Sequence, residues 1–186
     1  MTALRVCIIT MFLTFLYLVS TVFLTNILFF NKSNGSLIKI NNKTIGSKLI
    51  GQEFTSNLFF RGRPSLFNYK NDISGNSNFP YYSNDLLNNV KKKYKIFFKS
   101  TNGAKSDLNI ITESASGLDP HITYNGALGQ LDRIANNTKI NKEIIIALIN
   151  KKSRPRILSL FGEKIVNVLE LNIELSKIYA KTLGSR

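Results

Sequence analysis

The sequence predicts an α+β fold, with one N-terminal transmembrane helix followed by a single mixed α+β domain. Three observations predict this class. The first 30 residues contain a long run without charge, the rest of the chain alternates short strand-like runs with helical periodicity, and no internal repeat is present. We therefore divide the 186 residues into an anchor, residues 1–30, and one soluble domain, residues 31–186.

The anchor is the uncharged run from Val6 to Phe30. As an α-helix, its 25 residues would extend roughly 37 Å, which exceeds a hydrocarbon core of about 30 Å. The run is long for the apolar region of a signal peptide, and no small-residue cleavage site follows it. The sequence therefore predicts an uncleaved anchor that crosses the membrane once.

Charge limits the function classes but leaves the orientation open. The formal net charge is +14, and of the 25 basic residues only Arg5 precedes Lys32. Counting positive charges puts the domain in the cytoplasm, although large domains translocate with little regard to charge. Nucleic-acid binding is disfavoured, because the lysines are scattered among asparagines behind a membrane segment. The only cysteine, Cys7, lies in the anchor, so the domain has no disulfide.

The first half of the domain reads as two short strands, then turns, then a helix. Leu37–Ile40 and Thr44–Ile50 flank a polar turn, which is typical of a hairpin. Ser83 or Asn84 is expected to cap the helix that follows. Its lysines should face water or a partner, because apolar residues recur at helical spacing between them; these lysines are Lys91, Lys92, Lys93 and Lys95.

The second half is expected to add two helices around one strand. Lys142–Ile149 reads as a helix with Asn141 as its cap, and a basic loop over residues 151–156 should end it. Ile165–Leu171 is the best strand candidate. Asn172 is expected to cap a closing helix.

The stretch around which the domain is organised is SASGLDPHI at residues 114–122, preceded by an expected strand over Leu108–Thr112. It reads as a loop that becomes a helix, with Gly117 as a bend, Asp119 as the cap and Pro120 at the first helical position. Loops of small residues also bind phosphates, so nucleotide or catalytic chemistry would be sought here first. A capped helix start is the preferred interpretation.

Two groups of residues suggest alternative functions. In FFRGRPS at residues 59–65, Arg61 and Arg63 suit a carboxylate or a phosphate, with a structural salt bridge favoured. A hydrolase would use Asp119, His121 and a serine of the same loop. That alternative is disfavoured, because residues two apart at a helix start point in different directions and the chain has no second histidine to act as base.

Short motifs occur in a specific order behind the anchor: GSL at 35–37, GSKLIGQEF at 46–54, FFRGRPS at 59–65, SASGLDPHI at 114–122, Gln130 with Arg133-Ile134-Ala135, and VNVLELN at 166–172. This combination resembles the KdpC family, whose members are subunits of the Kdp-type potassium-transporting P-type ATPase. Two segments depart from the family pattern. SGNSNF at 74–79 replaces the usual SxGSNL, and GEKIVNVL at 162–169 replaces GEPRVNVL; both changes should alter local turns more than function.

The resemblance implies a non-catalytic accessory subunit of a high-affinity, ATP-driven potassium uptake pump in the cell (inner) membrane. Such a protein has one membrane pass and an extracytoplasmic domain. It works beside a channel-like potassium-binding subunit, a P-type subunit that hydrolyses ATP, and a small membrane subunit. It needs no cofactor of its own, since the complex handles ATP and potassium, and it stabilises the complex. The absence of a complete phosphate loop agrees with this role.

The resemblance also implies site residues. Gln130 corresponds to a glutamine implicated in nucleotide contact and in raising the ATP affinity of the pump. An extracytoplasmic Gln130 could affect ATP only by coupling through the complex. A membrane-anchored nucleotide-binding module or hydrolase remains the alternative. No catalytic or metal-binding residue is expected, and the motif and interface residues are Arg61, Arg63, Gly117, Asp119, Pro120, His121, Arg133 and Asn167.

Overall fold

The computed structural model describes residues 2–101, 103, 107–155 and 162–184. Contacts within the chain divide it into two compact units, residues 1–47 and 48–186. Each unit has its own architecture. The predicted division after residue 30 stays a prediction.

The first unit contains the predicted membrane helix. Helix α1 spans Thr2–Leu28, reaches a mean hydropathy of 2.3, and is the one helix among the described residues that is long and apolar enough to cross a membrane. The hydroxyls of Thr10, Thr14, Thr21 and Thr25 donate to carbonyls of the preceding turn, as in Thr14 to Thr10 O at 2.8 Å and Thr21 to Tyr17 O at 2.8 Å. These hydroxyls therefore do not remain unpaired in an apolar environment.

A short helix and a hairpin complete this unit. Helix α2 spans Phe30–Ser33, and strands β1, Leu37–Ile40, and β2, Lys43–Ser47, pair antiparallel. The turn residues Asn41 and Asn42 both have positive φ, 48° and 61°, which asparagine tolerates better than most residues. The predicted hairpin is confirmed, with its second strand ending at Ser47.

The second unit is α+β, as predicted. Its elements in chain order are helix α3, Asn84–Ser100; a 3₁₀ turn, Leu108–Ile110; strand β3, His121–Thr123; helix α4, Tyr124–Leu128; helix α5, Leu131–Thr138; helix α6, Lys142–Lys152; strand β4, Ser153–Arg154; strand β5, Ile165–Asn167; and helix α7, Val168–Gly184. Residues 48–83 form no helix or strand.

The strands of this unit are short and meet around β5. The sheet order is β3-β5-β4, and both pairings are antiparallel. His121 lies opposite Asn167, and Val166 lies opposite both Ile122 and Ser153. The central strand is therefore paired on both sides, which explains why so short a segment is stable as a strand.

Four expectations about elements are wrong. Residues 108–112 form a 3₁₀ turn and not a strand, and Asp119-Pro120 leads into β3 and not into a helix. The strand over Ile165–Leu171 stops at Asn167, because helix α7 begins at Val168. Asn172 consequently lies inside α7 and does not cap it.

The fourth expectation concerns the basic loop predicted after α6. Lys151 and Lys152 still belong to α6, and Ser153–Arg154 form β4, so no loop begins at Lys151. Pairing with β5 gives the backbone of these residues regular partners. The last residue of the predicted loop, Arg156, lies outside the described residues.

The caps that the sequence predicts for α3 and α6 are confirmed. The Ser83 hydroxyl accepts from Asp85 N and caps α3, and Asn141 accepts from Glu143 N and caps α6. The Thr123 side chain caps α4 by accepting from Gly126 N at 2.9 Å. This last cap replaces the one expected at Asp119.

The core lies where α5, α6 and α7 meet the sheet. It contains fully buried side chains from each element, including Ile134, Ile145, Ile149, Val166 and Leu171. Helix α3 has no buried residue, and its lysines are largely exposed, as expected. The exception is Lys93, which forms an ion pair of 2.6 Å with Glu113.

Candidate functional site

The predicted motifs meet at one place in the second unit. The arginine segment, residues 59–65, lies against the SGLDP loop, residues 114–121, and against the start of α5. Within these two segments, only His121, the first residue of β3, belongs to a helix or strand. Their conformation therefore depends on side chains that bind backbone groups.

Arg63 joins the arginine segment to the SGLDP loop and to the residues before it. Its Nη2 donates to Glu113 O at 2.8 Å, its Nε donates to Thr112 O at 3.4 Å, and its Nη1 lies 3.4 Å from Asp119 Oδ2. The fork geometry of the guanidinium allows one side chain to bind all three groups. Arg63 thus forms the structural salt bridge that the sequence favours for the two arginines, whereas Arg61 forms no ion pair among the described residues.

Asp119 and His121 contact each other, contrary to the expectation that they point in different directions. Asp119 Oδ1 accepts from His121 N at 2.9 Å, and His121 Nδ1 lies 3.5 Å from the same oxygen. A strand after Asp119, in place of a helix, brings the two side chains together. Burial raises the pKa of the Asp119 carboxyl, but hydrogen bonds from the side chain and backbone of His121 and the charge of Arg63 outweigh it, so the pKa is lowered.

The backbone of the SGLDP loop needs both Gly117 and Pro120. Gly117 has φ 68°, and a Cβ there would lie 2.9 Å from Gly75 O, so the loop requires glycine. Pro120 is buried, and its carbonyl accepts from Val168 N at 2.9 Å. The loop therefore contacts residues 74–75 through Ser116 and Gly117, and the start of α7 through Pro120.

Tyr69 stabilises the arginine segment from outside it. Its hydroxyl donates to Arg63 O. Burial, followed by the nearby charges of Asp119 and Glu53, raises the pKa of Tyr69 to about 12. The phenol is therefore a neutral hydrogen-bond donor at any physiological pH.

Gln130 is buried and forms four hydrogen bonds within the protein. Its Oε1 accepts from Arg61 N at 2.8 Å and from Arg133 Nη2 at 2.6 Å, and its Nε2 donates to Arg61 O at 3.1 Å and to Gly126 O at 3.2 Å. Only 1% of the residue is exposed. A nucleotide would have to displace these bonds to reach the amide, and the nucleotide contact stays a prediction.

Arg133 and Arg61 flank this glutamine. Arg133 is 4% exposed and donates through Nη1 to Asn57 O at 2.8 Å. Arg61 donates through Nη2 to Thr55 O at 3.1 Å and to Asn57 Oδ1 at 2.8 Å. Burial, followed by the charge of Arg61, lowers the pKa of Arg133 to about 10. The two arginines thus both donate to neutral oxygens of Asn57, and the charge of Arg61 destabilises the charged form of Arg133.

Asn167, the last residue of β5, fixes the start of α7. Its Oδ1 accepts from Glu170 N at 3.1 Å, which caps the helix, and its Nδ2 donates to Lys48 O at 2.9 Å. The cap expected at Asn172 is therefore wrong by five residues. The correct cap could have been recognised from the Asn167 to Glu170 spacing.

Asn172 is the residue whose role sequence reasoning missed. Its side-chain amide binds Phe60, accepting from its N at 2.8 Å and donating to its carbonyl at 2.9 Å. Phe60 and Arg61, neighbours in the arginine segment, are thereby both held by amide side chains. A polar residue on the buried face of the closing helix was the available signal, since such groups need internal partners.

The site therefore combines most of the predicted residues in a structural network. Arg61, Gln130 and Arg133 form one group, and Arg63, Asp119 and His121 form another. Nε2 of His121 is buried and has no hydrogen-bond partner among the described residues, so no serine there is bonded to it as in a hydrolase triad. Within the same residues, no three His, Cys, Asp or Glu side chains form a metal-binding group.

Comparisons with known proteins match nearly the whole chain. The family described as KdpC, the c chain of the K⁺-transporting ATPase, matches residues 1–177. A potassium-transporting ATPase KdpC subunit from Caldanaerobacter subterraneus subsp. tengcongensis is 39% identical over 155 residues, covering 82% of this chain and 80% of that protein. Another, from Gloeobacter violaceus, is 40% identical over 149 residues, covering 80% and 79%.

A third relative comes from Bacillus cereus strain G9842. This potassium-transporting ATPase KdpC subunit is 41% identical over 152 residues, covering 80% of this chain and 79% of its own length. The family match includes both α1 and most of the second unit. The chain belongs to the KdpC family of K⁺-transporting ATPase subunits.

Proposed function

We propose that this accessory subunit of the potassium pump is itself non-catalytic and stabilises the assembled complex. The observation that carries the proposal is that the family motifs form a hydrogen-bonded scaffold. Gln130, Asn172 and Arg63 direct their polar groups to backbone partners inside the protein. A catalytic group would need a free polar atom directed at a substrate.

The partners under this proposal are a channel-like potassium-binding subunit, a P-type subunit that hydrolyses ATP, and a small membrane subunit. ATP and potassium are bound by those partners, and this chain has no cofactor of its own. Its high positive charge supports this division, because a net charge of +14 does not concentrate cations on the average surface. Nucleic acid is not a partner.

We also propose that the second unit lies outside the cytoplasm and that α1 is its single membrane anchor. Family resemblance supports this orientation, and the positive charge does not oppose it, because large domains translocate largely regardless of charge. In this orientation cytoplasmic ATP cannot reach Gln130. Any effect on ATP affinity is then a coupling free energy that is transmitted through the complex.

Co-expression of the pump with and without this chain tests the accessory role. We expect that without the chain the other subunits co-purify in lower yield and lose potassium-stimulated ATPase activity, whereas the purified chain alone hydrolyses no ATP. Hydrolysis by the chain alone, in a preparation free of the P-type subunit, would contradict the proposal.

Cysteine labelling tests the orientation separately. In a Cys7→Ala background, Lys92→Cys adds a thiol on the exposed face of α3. Thr2→Cys is the matched variant and adds a thiol at the N-terminal end of the anchor. A membrane-impermeant maleimide should label Lys92→Cys in intact protoplasts and Thr2→Cys only after lysis. The reverse pattern would place the second unit in the cytoplasm and make direct ATP contact feasible.

A further inference from the structure

The second unit contains a cavity whose function the accessory role does not explain. It has a volume of about 310 Å³ and lies between the arginine segment, α3 and the start of α5. Its lining combines apolar side chains such as Phe97 and Ile111 with the cations Arg61 and Arg133. Small-molecule sites have this size and this mixture of apolar walls with a few convergent polar groups.

The charges around the cavity do not balance. Four cationic side chains line it, and two of them have acidic partners: Arg63 pairs with Asp119, and Lys93 pairs with Glu113. Among the described residues, neither Arg61 nor Arg133 forms an ion pair. The one acidic residue in the lining, Glu53, is exposed to solvent.

Neither of these two arginines has an anionic partner in the described part of the chain, and this lowers the stability of the folded protein. Arg133 is 4% exposed and binds only neutral oxygen acceptors, those of Asn57 and Gln130. Nε of Arg61 is buried and has no hydrogen-bond partner among the described residues. Buried charges are normally paired, and an unsatisfied buried donor costs free energy. An anion in the cavity would supply the negative charge that both arginines lack.

We propose that this cavity binds a small organic monoanion, a carboxylate with a short apolar chain. The planar guanidinium groups of Arg61 and Arg133 match the geometry of a carboxylate. Phe54, Phe97 and Ile111 supply apolar surface for the chain of the ligand. One net positive charge remains after the two ion pairs and Glu53, which favours a monoanion. This inference does not depend on the orientation in the membrane.

Isothermal titration calorimetry on the full-length chain in a neutral maltoside detergent tests the proposal. The probes are hexanoate, acetate, hexanol and inorganic phosphate. We expect one hexanoate per chain, with an affinity at least tenfold above that of acetate, because each buried methylene contributes roughly fourfold. We expect hexanol and phosphate to bind at least tenfold more weakly than hexanoate. Equal binding of hexanol, stronger binding of phosphate, or no binding of hexanoate would overturn the proposal.

Matched variants locate the site. Arg61→Gln should weaken hexanoate binding at least fivefold, whereas Lys92→Gln, which removes the same charge from exposed α3, should not change it. Ile96 lines the cavity and is 57% exposed, so Ile96→Trp narrows the opening without removing a charge. If Arg61→Gln does not fold, Ile96→Trp decides alone: a fivefold loss supports the cavity, and wild-type affinity overturns it. Equal losses in Arg61→Gln and Lys92→Gln would also overturn it.

Discussion

The side-chain amide of Asn172 binds both backbone polar groups of Phe60, accepting from its N at 2.8 Å and donating to its carbonyl at 2.9 Å. Gln130 binds the next residue, Arg61, in the same two-bond manner, at 2.8 and 3.1 Å. Two consecutive residues of an irregular segment are thus held as if each faced a partner strand. These two amides therefore fix Phe60 and Arg61, in addition to the contacts that Arg63 and Tyr69 make in the same segment.

Asn172→Leu should lower the free energy of unfolding by about 2–4 kcal/mol, because it leaves the buried N–H and C=O of Phe60 without partners. Asn88→Leu is the matched control on the exposed face of α3 and should change the free energy by less than about 0.5 kcal/mol. Denaturant unfolding of the full-length chain in neutral detergent measures both. Equal stability of the two variants would show that the hydrogen bonds between Asn172 and Phe60 contribute nothing to stability.

Gln130→Met should destabilise the chain by a similar amount, about 2–4 kcal/mol, in the absence of any nucleotide, because four hydrogen bonds are lost. Asn136→Met is the control, at an exposed residue of helix α5, which begins directly after Gln130. In the reassembled pump we expect the KM for ATP to change only if the variant also lowers the yield of assembled complex. A raised KM for ATP with normal chain stability and normal assembly would instead show that Gln130 affects ATP affinity, either by direct contact or by coupling through the complex.

Much of the fold could be predicted because its signals are local. The uncharged run indicates the membrane helix, Asn41-Asn42 indicates the hairpin, and Ser83 and Asn141 indicate two helix starts. Each of these depends on residues within one turn or one hairpin of each other. Such signals can be read from a single sequence.

The errors occur where distant partners decide the structure. The backbone of His121 is a strand because β5 pairs with it, and nothing adjacent to Asp119 reveals that pairing. Asn172 and Phe60 are separated by 112 positions, and Gln130 and Arg61 by 69. The sequence identifies most residues of the site as motifs, but only the tertiary structure shows which backbone groups they bind.

We predict that Asp119 stabilises the site through its hydrogen bonds and its charge and takes no part in a catalysed reaction. Asp119→Ala removes the acceptor for His121 N and the partner of Arg63, and should cost about 1–2 kcal/mol. Asp119→Asn keeps the acceptor and loses only a partly exposed ion pair, which is worth about 0–1 kcal/mol. Unfolding of both variants tests the order, and loss of pump activity in Asp119→Asn with normal stability and assembly would contradict the structural role.

The sign of the pH effect at Asp119 follows from its lowered pKa. A carboxyl with a lower pKa in the folded state contributes stability above its unfolded pKa, about 3.9, and that contribution is lost as the pH falls through the folded value. The stability difference between wild type and Asp119→Asn should therefore be largest above pH 5 and shrink in acid. A difference that grows on acidification would mean that the protonated carboxyl is the stabilising form.

Glu113 should show the strongest acid sensitivity in the second unit. Its carboxylate accepts from Lys93 Nζ at 2.6 Å, Ser77 N at 3.1 Å and Asn89 Nδ2 at 3.4 Å, and its side chain is only 10% exposed. Burial raises its pKa, but the hydrogen bonds from Lys93 and Ser77 outweigh burial and lower the pKa from 4.5 to about 2. The folded protein therefore holds the charged form more strongly than the unfolded chain does.

Glu113→Gln should consequently cost about 1–3 kcal/mol at pH 7, where the wild-type carboxylate is charged and fully bonded. The cost should shrink between pH 4.5 and pH 2, because wild-type Glu113 is then progressively protonated and loses the same interactions. Glu143→Gln, at an exposed position of α6, is the control and should change little at either pH. Denaturant unfolding at pH 7, 5, 3.5 and 2.5 measures the three proteins. If Glu113→Gln is as destabilised at pH 2.5 as at pH 7, its effect comes from lost packing and not from the charge that Lys93 and Ser77 bind.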